Sequence, residues 1–128
     1  MLRQSEIMSP RPESHPPDPS VLAVVRRYLR NLAGQGIATR MGVLFGSYAS
    51  GHPDQWSDID LLVVSPVFDG AFSREAVNCL WRVAARTDSR IEPISCGQRQ
   101  WTQDSATPLL EIVRREGVQV LPDDDPGS

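Results

Sequence analysis

Two aspartates, Asp58 and Asp60, stand one residue apart and lead directly into Leu61-Leu62-Val63-Val64. On an extended chain alternate side chains share a face, so the two carboxylates point the same way with Cα atoms roughly 6–7 Å apart. Two such charges repel unless a cation or a proton neutralises them. Oxygen-only donors with no histidine or cysteine beside them favour a hard divalent ion, Mg²⁺ or Mn²⁺. Upstream, Gly46-Ser47 leaves the apolar run Met41 to Phe45 and precedes Tyr48-Ala49-Ser50. A small-residue turn at the start of a short helix presents backbone N–H groups to an anion, phosphate above all. Phosphate and metal together describe a nucleotide-handling site. A serine-hydrolase elbow does not fit, because Gly46 to Gly51 lacks the G-x-S-x-G spacing and neither His15 nor His52 has the context of a general base.

These groups must be held by elements that the pattern predicts. Asp18-Pro19-Ser20 starts a helix, with Asp18 as cap and proline in the first turn. Val21, Val25, Tyr28 and Leu32 follow at helical spacing, and Gly34 and Gly36 end it. Met41 to Phe45 reads as a short buried strand, and residues 48–57 as a brief helical turn and a loop. Asp58 to Ser65 is the clearest strand, closed by Pro66 and the Asp69-Gly70 turn. Ser73 caps a helix through about Arg86 with Val77, Leu80, Trp81 and Ala84 as its inner stripe. Arg90 to Cys96 is a third strand, confined by Pro93 to an edge or an irregular position. A polar connection containing Trp101 then leads to Thr107-Pro108, which opens a last helix that Gly117 closes. Val118 to Leu121 adds a small strand. The expected class is α/β (α+β), a small mixed sheet with helices packed on one face. Residues 1–17, with four prolines among polar residues, are expected to be a disordered arm, 18–121 one domain, and 122–128 a frayed acidic tail.

Composition narrows the function. At 128 residues the chain is one domain, and a net charge of −3 with a pI near 5.3 argues against a general nucleic-acid-binding surface. All 13 basic residues are arginine, which excludes any mechanism needing a lysine. No apolar run is long enough for a membrane span, and no secretory leader is evident. Cys79 and Cys96 are read as buried, reduced thiols of a cytoplasmic protein. Arg114-Arg115 near a helix C-terminus complements the helix dipole.

Taken as one pattern, Leu44-Phe45-Gly46-Ser47-Tyr48-Ala49-Ser50-Gly51 followed by Ser57-Asp58-Ile59-Asp60-Leu61-Leu62-Val63 resembles the minimal nucleotidyltransferase (MNT) family of the polymerase-β-like superfamily. Its hallmark is Gly-Ser, ten residues, then Asp-x-Asp, and Tyr48 to Ser57 supplies the ten. The resemblance implies that Gly46 and Ser47 hold the triphosphate of ATP and that Asp58 and Asp60 bind the metal ions. It further places Glu92 where the family has a third acid, which completes a second metal site and helps deprotonate the attacking hydroxyl. Many members have arginine where this chain has Ser50, a charge that Arg40, Arg90 or a partner would have to replace, and aspartate where it has Glu92. Larger relatives that modify antibiotics carry an acceptor-binding domain, so the acceptor surface is expected from a second chain, a homodimer or a different partner. Stand-alone members typically are the antitoxin of a pair with a HEPN-domain ribonuclease, where they move AMP to a tyrosine of the toxin. The alternatives are transfer to a small molecule or a tRNA end, and an antitoxin that acts by binding alone.

Overall fold

The computed structural model describes residues 18–46, 58–71 and 73–122. The expected arm, the loop from Ser47 to Ser57 with His52 and Trp56, and all of the acidic tail but Pro122 lie outside these residues. The elements are α1 (Pro19–Gly34), β1 (Met41–Phe45), β2 (Ile59–Ser65), a 3₁₀ turn (Pro66–Phe68) and α2 (Arg74–Thr87), then β3 (Ile91–Gly97), α3 (Gln98–Gln103), α4 (Pro108–Glu116) and β4 (Val118–Val120).

Helix α1 begins as its sequence dictates. The Asp18 carboxylate accepts from the Ser20 N–H at 2.8 Å, Pro19 fills the first turn, and Val21, Val25, Tyr28, Leu29 and Leu32 are buried. Helix α2 starts from Ser73, whose hydroxyl accepts from the Ala76 N–H. Its buried face is Cys79, Leu80, Val83 and Ala84 rather than a stripe that includes Trp81, which is 48% exposed. At about 100° per residue, Trp81 is turned a quarter circle away from Leu80, and Val83 takes the inward place.

The sheet order is β3-β2-β1-β4. Strand β1 is antiparallel to both β2 and β4, with Phe45 opposite Asp60, and β2 is parallel to β3, with Asp60 beside Glu92. A parallel neighbour requires a crossover, and α2 is that crossover. Strand β2 is central and separates two apolar clusters. Ile59, Leu61 and Val63 pack with α1 and α2, whereas Leu62 and Val64 pack with Val43, Cys96 and, from α4, Leu110 and Val113. Full burial of such a side chain stabilises by about 1.5–3 kcal/mol. The expected helix layer is therefore α1 and α2, and one end of the opposite face is covered as well.

Pro93 lies, as expected, on an edge strand. The Ile59 N–H donates to the Arg90 carbonyl at 2.8 Å, so even-numbered residues of β3 turn their peptide groups toward β2. Pro93 is odd-numbered, and its missing N–H faces outward, where no ladder bond is lost. Helix α3 was not foreseen in the polar connection. It is held by distant groups: the Asp69 carboxylate accepts from the Arg99 N–H at 3.1 Å, and the Arg114 guanidinium donates to the carbonyls of Gln100 and Trp101.

Candidate active site

Strand alternation puts Asp60 on the sheet face opposite α1 and α2, the face it shares with Leu62 and Val64. Asp58 precedes the strand and is exposed, and Glu92 stands beside Asp60 across the parallel pair. Asp58 lies near enough to Glu92 to raise its carboxyl above the ordinary value. All three acids thus lie at the N-terminal end of β2 and β3, away from the Leu62 and Val64 end that α4 covers. Among the described residues no group of three His, Cys, Asp or Glu side chains is placed to hold a metal ion as it stands. The group is an open, oxygen-only set on an exposed edge.

Gly46 completes the arrangement. It ends β1 with φ +78°, in the left-handed region that favours glycine, and a Cβ there would run into the Asp60 carboxylate. Only a residue without a side chain lets the turn after β1 approach Asp60 this closely. The structure therefore brings Gly46, Asp58, Asp60 and Glu92 together. Ser47 and Ser50 fall outside the described residues.

Asp60 and Glu92 both hold their protons more tightly than usual. Burial, and then the neighbouring Asp58 charge, push the Asp60 carboxyl above its ordinary value. Glu92 is raised first by its hydrogen bond to Asp58, then by desolvation and by the charges of Asp58 and Asp60. A divalent cation beside Asp60 and Glu92 would favour their charged forms. The donor set, all carboxylate oxygen, suits Mg²⁺ or Mn²⁺.

The arginines proposed to replace the charge missing at Ser50 do not sit ready for it. The Arg90 guanidinium grips Asp88 through two hydrogen bonds, at 2.7 and 3.0 Å. Arg40 pairs its backbone N–H with the Val64 carbonyl, four residues along β2 from Asp60 and so roughly 13 Å away. Asp88 was not singled out in the sequence; the only signal was an Asp-x-Arg turn ahead of a strand.

Comparison with curated proteins gave no significant match. Among solved structures, a Sulfolobus solfataricus protein provisionally described as a nucleotidyltransferase is similar, with a TM-score of 0.51 at 17% identity over 78% of each chain. A toxin–antitoxin structure with AMP-PNP is similar with a TM-score of 0.50 at 24% identity, over 73% of this chain and 70% of the other. At these identities the likeness concerns the fold. The model of the nucleotidyltransferase domain family matches residues 26–101, from α1 into α3, a span that includes the Gly46 turn and all three acids. With more than half its length matched, and with the turn and the acids side by side on one sheet face, the chain belongs to the nucleotidyltransferase domain family.

Proposed function

We propose that this protein is a metal-dependent nucleotidyltransferase that moves a nucleoside monophosphate, AMP from ATP, to a tyrosine hydroxyl of a partner HEPN-type toxin, acting as its antitoxin. The observation that carries the reading is the convergence of Asp58, Asp60 and Glu92 on one sheet face beside Gly46. Gly46 and Ser47 would receive the triphosphate, and the left-handed Gly46 lets the backbone turn toward it without a side chain intervening. Asp58, Asp60 and Glu92 would hold the divalent ions. When bound, such ions neutralise the triphosphate and the entering and leaving oxygens of an in-line displacement.

The acceptor oxygen attacks the α-phosphorus, the new O–P bond forms, and the bond to the pyrophosphate oxygen breaks. The proton of the acceptor hydroxyl would pass to the Glu92 carboxylate. A partner chain as acceptor is supported by the similar fold of a toxin–antitoxin structure with AMP-PNP. The open sheet face beside the acids, where Ile94 is 38% exposed, leaves room for it.

The test is transfer of label from α-labelled ATP to the partner in the presence of Mg²⁺. Asp58→Asn and Asp60→Asn should each lower the rate by at least about a hundredfold. Equal transfer by the wild type and both variants would sink the reading. A second reading, an antitoxin that neutralises by binding alone, draws on Arg90 being engaged by Asp88. It is favoured if cells carrying the Asp58→Asn/Asp60→Asn protein remain protected from the partner.

A further inference from the structure

The charges of this chain are not spread evenly over its fold. Helices α1 and α2 carry Arg26, Arg27, Arg30, Arg74, Arg82 and Arg86 against one carboxylate, Glu75, although the whole chain has 16 acidic and 13 basic residues. The excess is on the outside of the helix layer, where Arg27, Arg30, Arg82 and Arg86 are exposed. The carboxylate site lies on the far side of the sheet, separated by the helix layer. That distance exceeds a Debye length of about 8–10 Å, so the two fields act independently. A partner approaching the helices meets the local positive surface rather than the net charge of the chain.

The two helices are locked to each other at this face. The Arg27 guanidinium donates to the Thr87 carbonyl at 3.1 Å, and the Asn31 amide donates to the Thr87 hydroxyl at 3.0 Å. Beside this contact a pocket of about 280 Å³ opens between Arg30, Asn31, Gly34 and Gln35 of α1 and its end, and Val83 and Arg86 of α2. It has an apolar wall, amide groups and two guanidinium groups, which suits a carboxylate side chain entering from outside. On the same helix Trp81 is 48% exposed and shares its solvent side with Asn78, Arg82 and Ala85. Neighbouring exposed positions are small, Ala23, Ala33, Gly34 and Ala85, so another backbone can come close. Tryptophan and arginine are the residues that carry most binding energy at protein interfaces, and acids are depleted there. Arg86 in the last turn of α2 has a use in the helix dipole; Arg82 and Trp81, farther from that end, have none.

We propose that the outer face of α1 and α2 is a docking surface for an acidic surface of a partner protein, with a carboxylate of that partner seated between Arg30 and Arg86. The acidic character is set by charge complementarity. A protein is favoured over a polyphosphate backbone because exposed Trp81 and the small residues Ala23, Gly34 and Ala85 offer apolar contacts that a phosphate backbone does not use. The surface is distinct from the transfer site, so binding there leaves the carboxylate face open.

The test needs neither nucleotide nor metal, so it is independent of whether transfer occurs. The full chain, labelled with ¹⁵N, is titrated with a 16-residue glutamate-rich helical peptide, and separately with a 20-nucleotide oligouridylate. Expected are salt-sensitive shifts at the Trp81 indole N–H and at residues of α1 and α2. The Arg82→Glu/Arg86→Glu protein should bind the peptide about tenfold more weakly, and Arg99→Glu/Arg115→Glu as tightly as the wild type. Circular dichroism of each variant shows whether it is folded, and Arg82→Gln/Arg86→Gln replaces the reversal if it is not. The proposal is overturned by no shifts, by shifts elsewhere, by indifference to these variants, or by tighter binding of the oligouridylate at this face. Self-association through the face, seen as a dimer lost in the variants by sedimentation, overturns it as well.

Discussion

Gly46 and Asp60 show how one residue's lack of a side chain sets the position of another's charge. The left-handed backbone at Gly46 and the space a Cβ would need, now held by the Asp60 carboxylate, both disfavour substitution. Gly46→Ala is expected to destabilise the fold by about 1–2 kcal/mol from backbone conformation alone. Displacement of Asp60 should add to this, and urea unfolding measures the sum. Asp60 itself behaves in the opposite way. Its carboxyl is raised by burial and by Asp58, so between its ordinary and raised values the folded chain binds more protons than the unfolded one. Stability of the metal-free protein therefore falls as pH rises through that window. Asp60→Asn should raise Tm in EDTA at pH 7 and leave it unchanged at pH 3. Mg²⁺ should raise the Tm of the wild type and do little for the variant. A variant that melts lower than wild type in EDTA would show that Asp60 is not held against its neighbours. The Asp58 and Asp60 pairing was legible because strand alternation is local; the contact between Gly46 and Asp60 was not, because it depends on β1 and β2 pairing in one register.

Among the elements, α3 depends most on residues far from it in sequence. It has no side-chain cap at Gly97, and its C-terminal carbonyls are met by Arg114, whose guanidinium also lies 5.3 Å from the centre of the Trp101 ring. The macrodipole of α4 is thus only part of the use of Arg114. Arg114→Ala should cost about 1.5–3 kcal/mol, read from urea unfolding, with faster proteolysis between Gln98 and Asp104. Arg114→Lys should recover less than half of the loss, because an ammonium cannot meet two carbonyls with a planar fork. No loss in either variant would mean that α3 stands without this contact. The helices α1, α2 and α4 were readable because each combines an apolar stripe with a cap or proline at its start. Helix α3 has neither, and the misplacement of Trp81 came from a stripe whose centre only packing could fix.

At the scale of the molecule, a four-stranded sheet separates a positive helix layer from the carboxylate face, and Asp60 and Asp88 respond to acid in opposite directions. Asp88 is held below the usual carboxylate range, first by its hydrogen bond to Arg90, so its contribution is present above its unfolded value and lost as pH falls through the folded one. Asp88→Asn should lower stability at pH 7 by less than about 1 kcal/mol and have no effect near pH 2. Thermal melts across this range should give a difference of opposite sign to that of Asp60→Asn, and equal signs would contradict the assignment of one acid as paired and the other as crowded. Among the described residues no helix is long and apolar enough to cross a membrane, in keeping with the composition. The chain's own sequence determined the motif and its spacing, the doubly apolar central strand, and the edge position of Pro93, because each follows from local periodicity or from a missing N–H. Tertiary structure decided the register that sets Glu92 beside Asp60, where the resemblance implies a third acid, and that the arginines of two helices gather around one pocket. Both rest on register and packing geometry, which join residues that no local pattern connects.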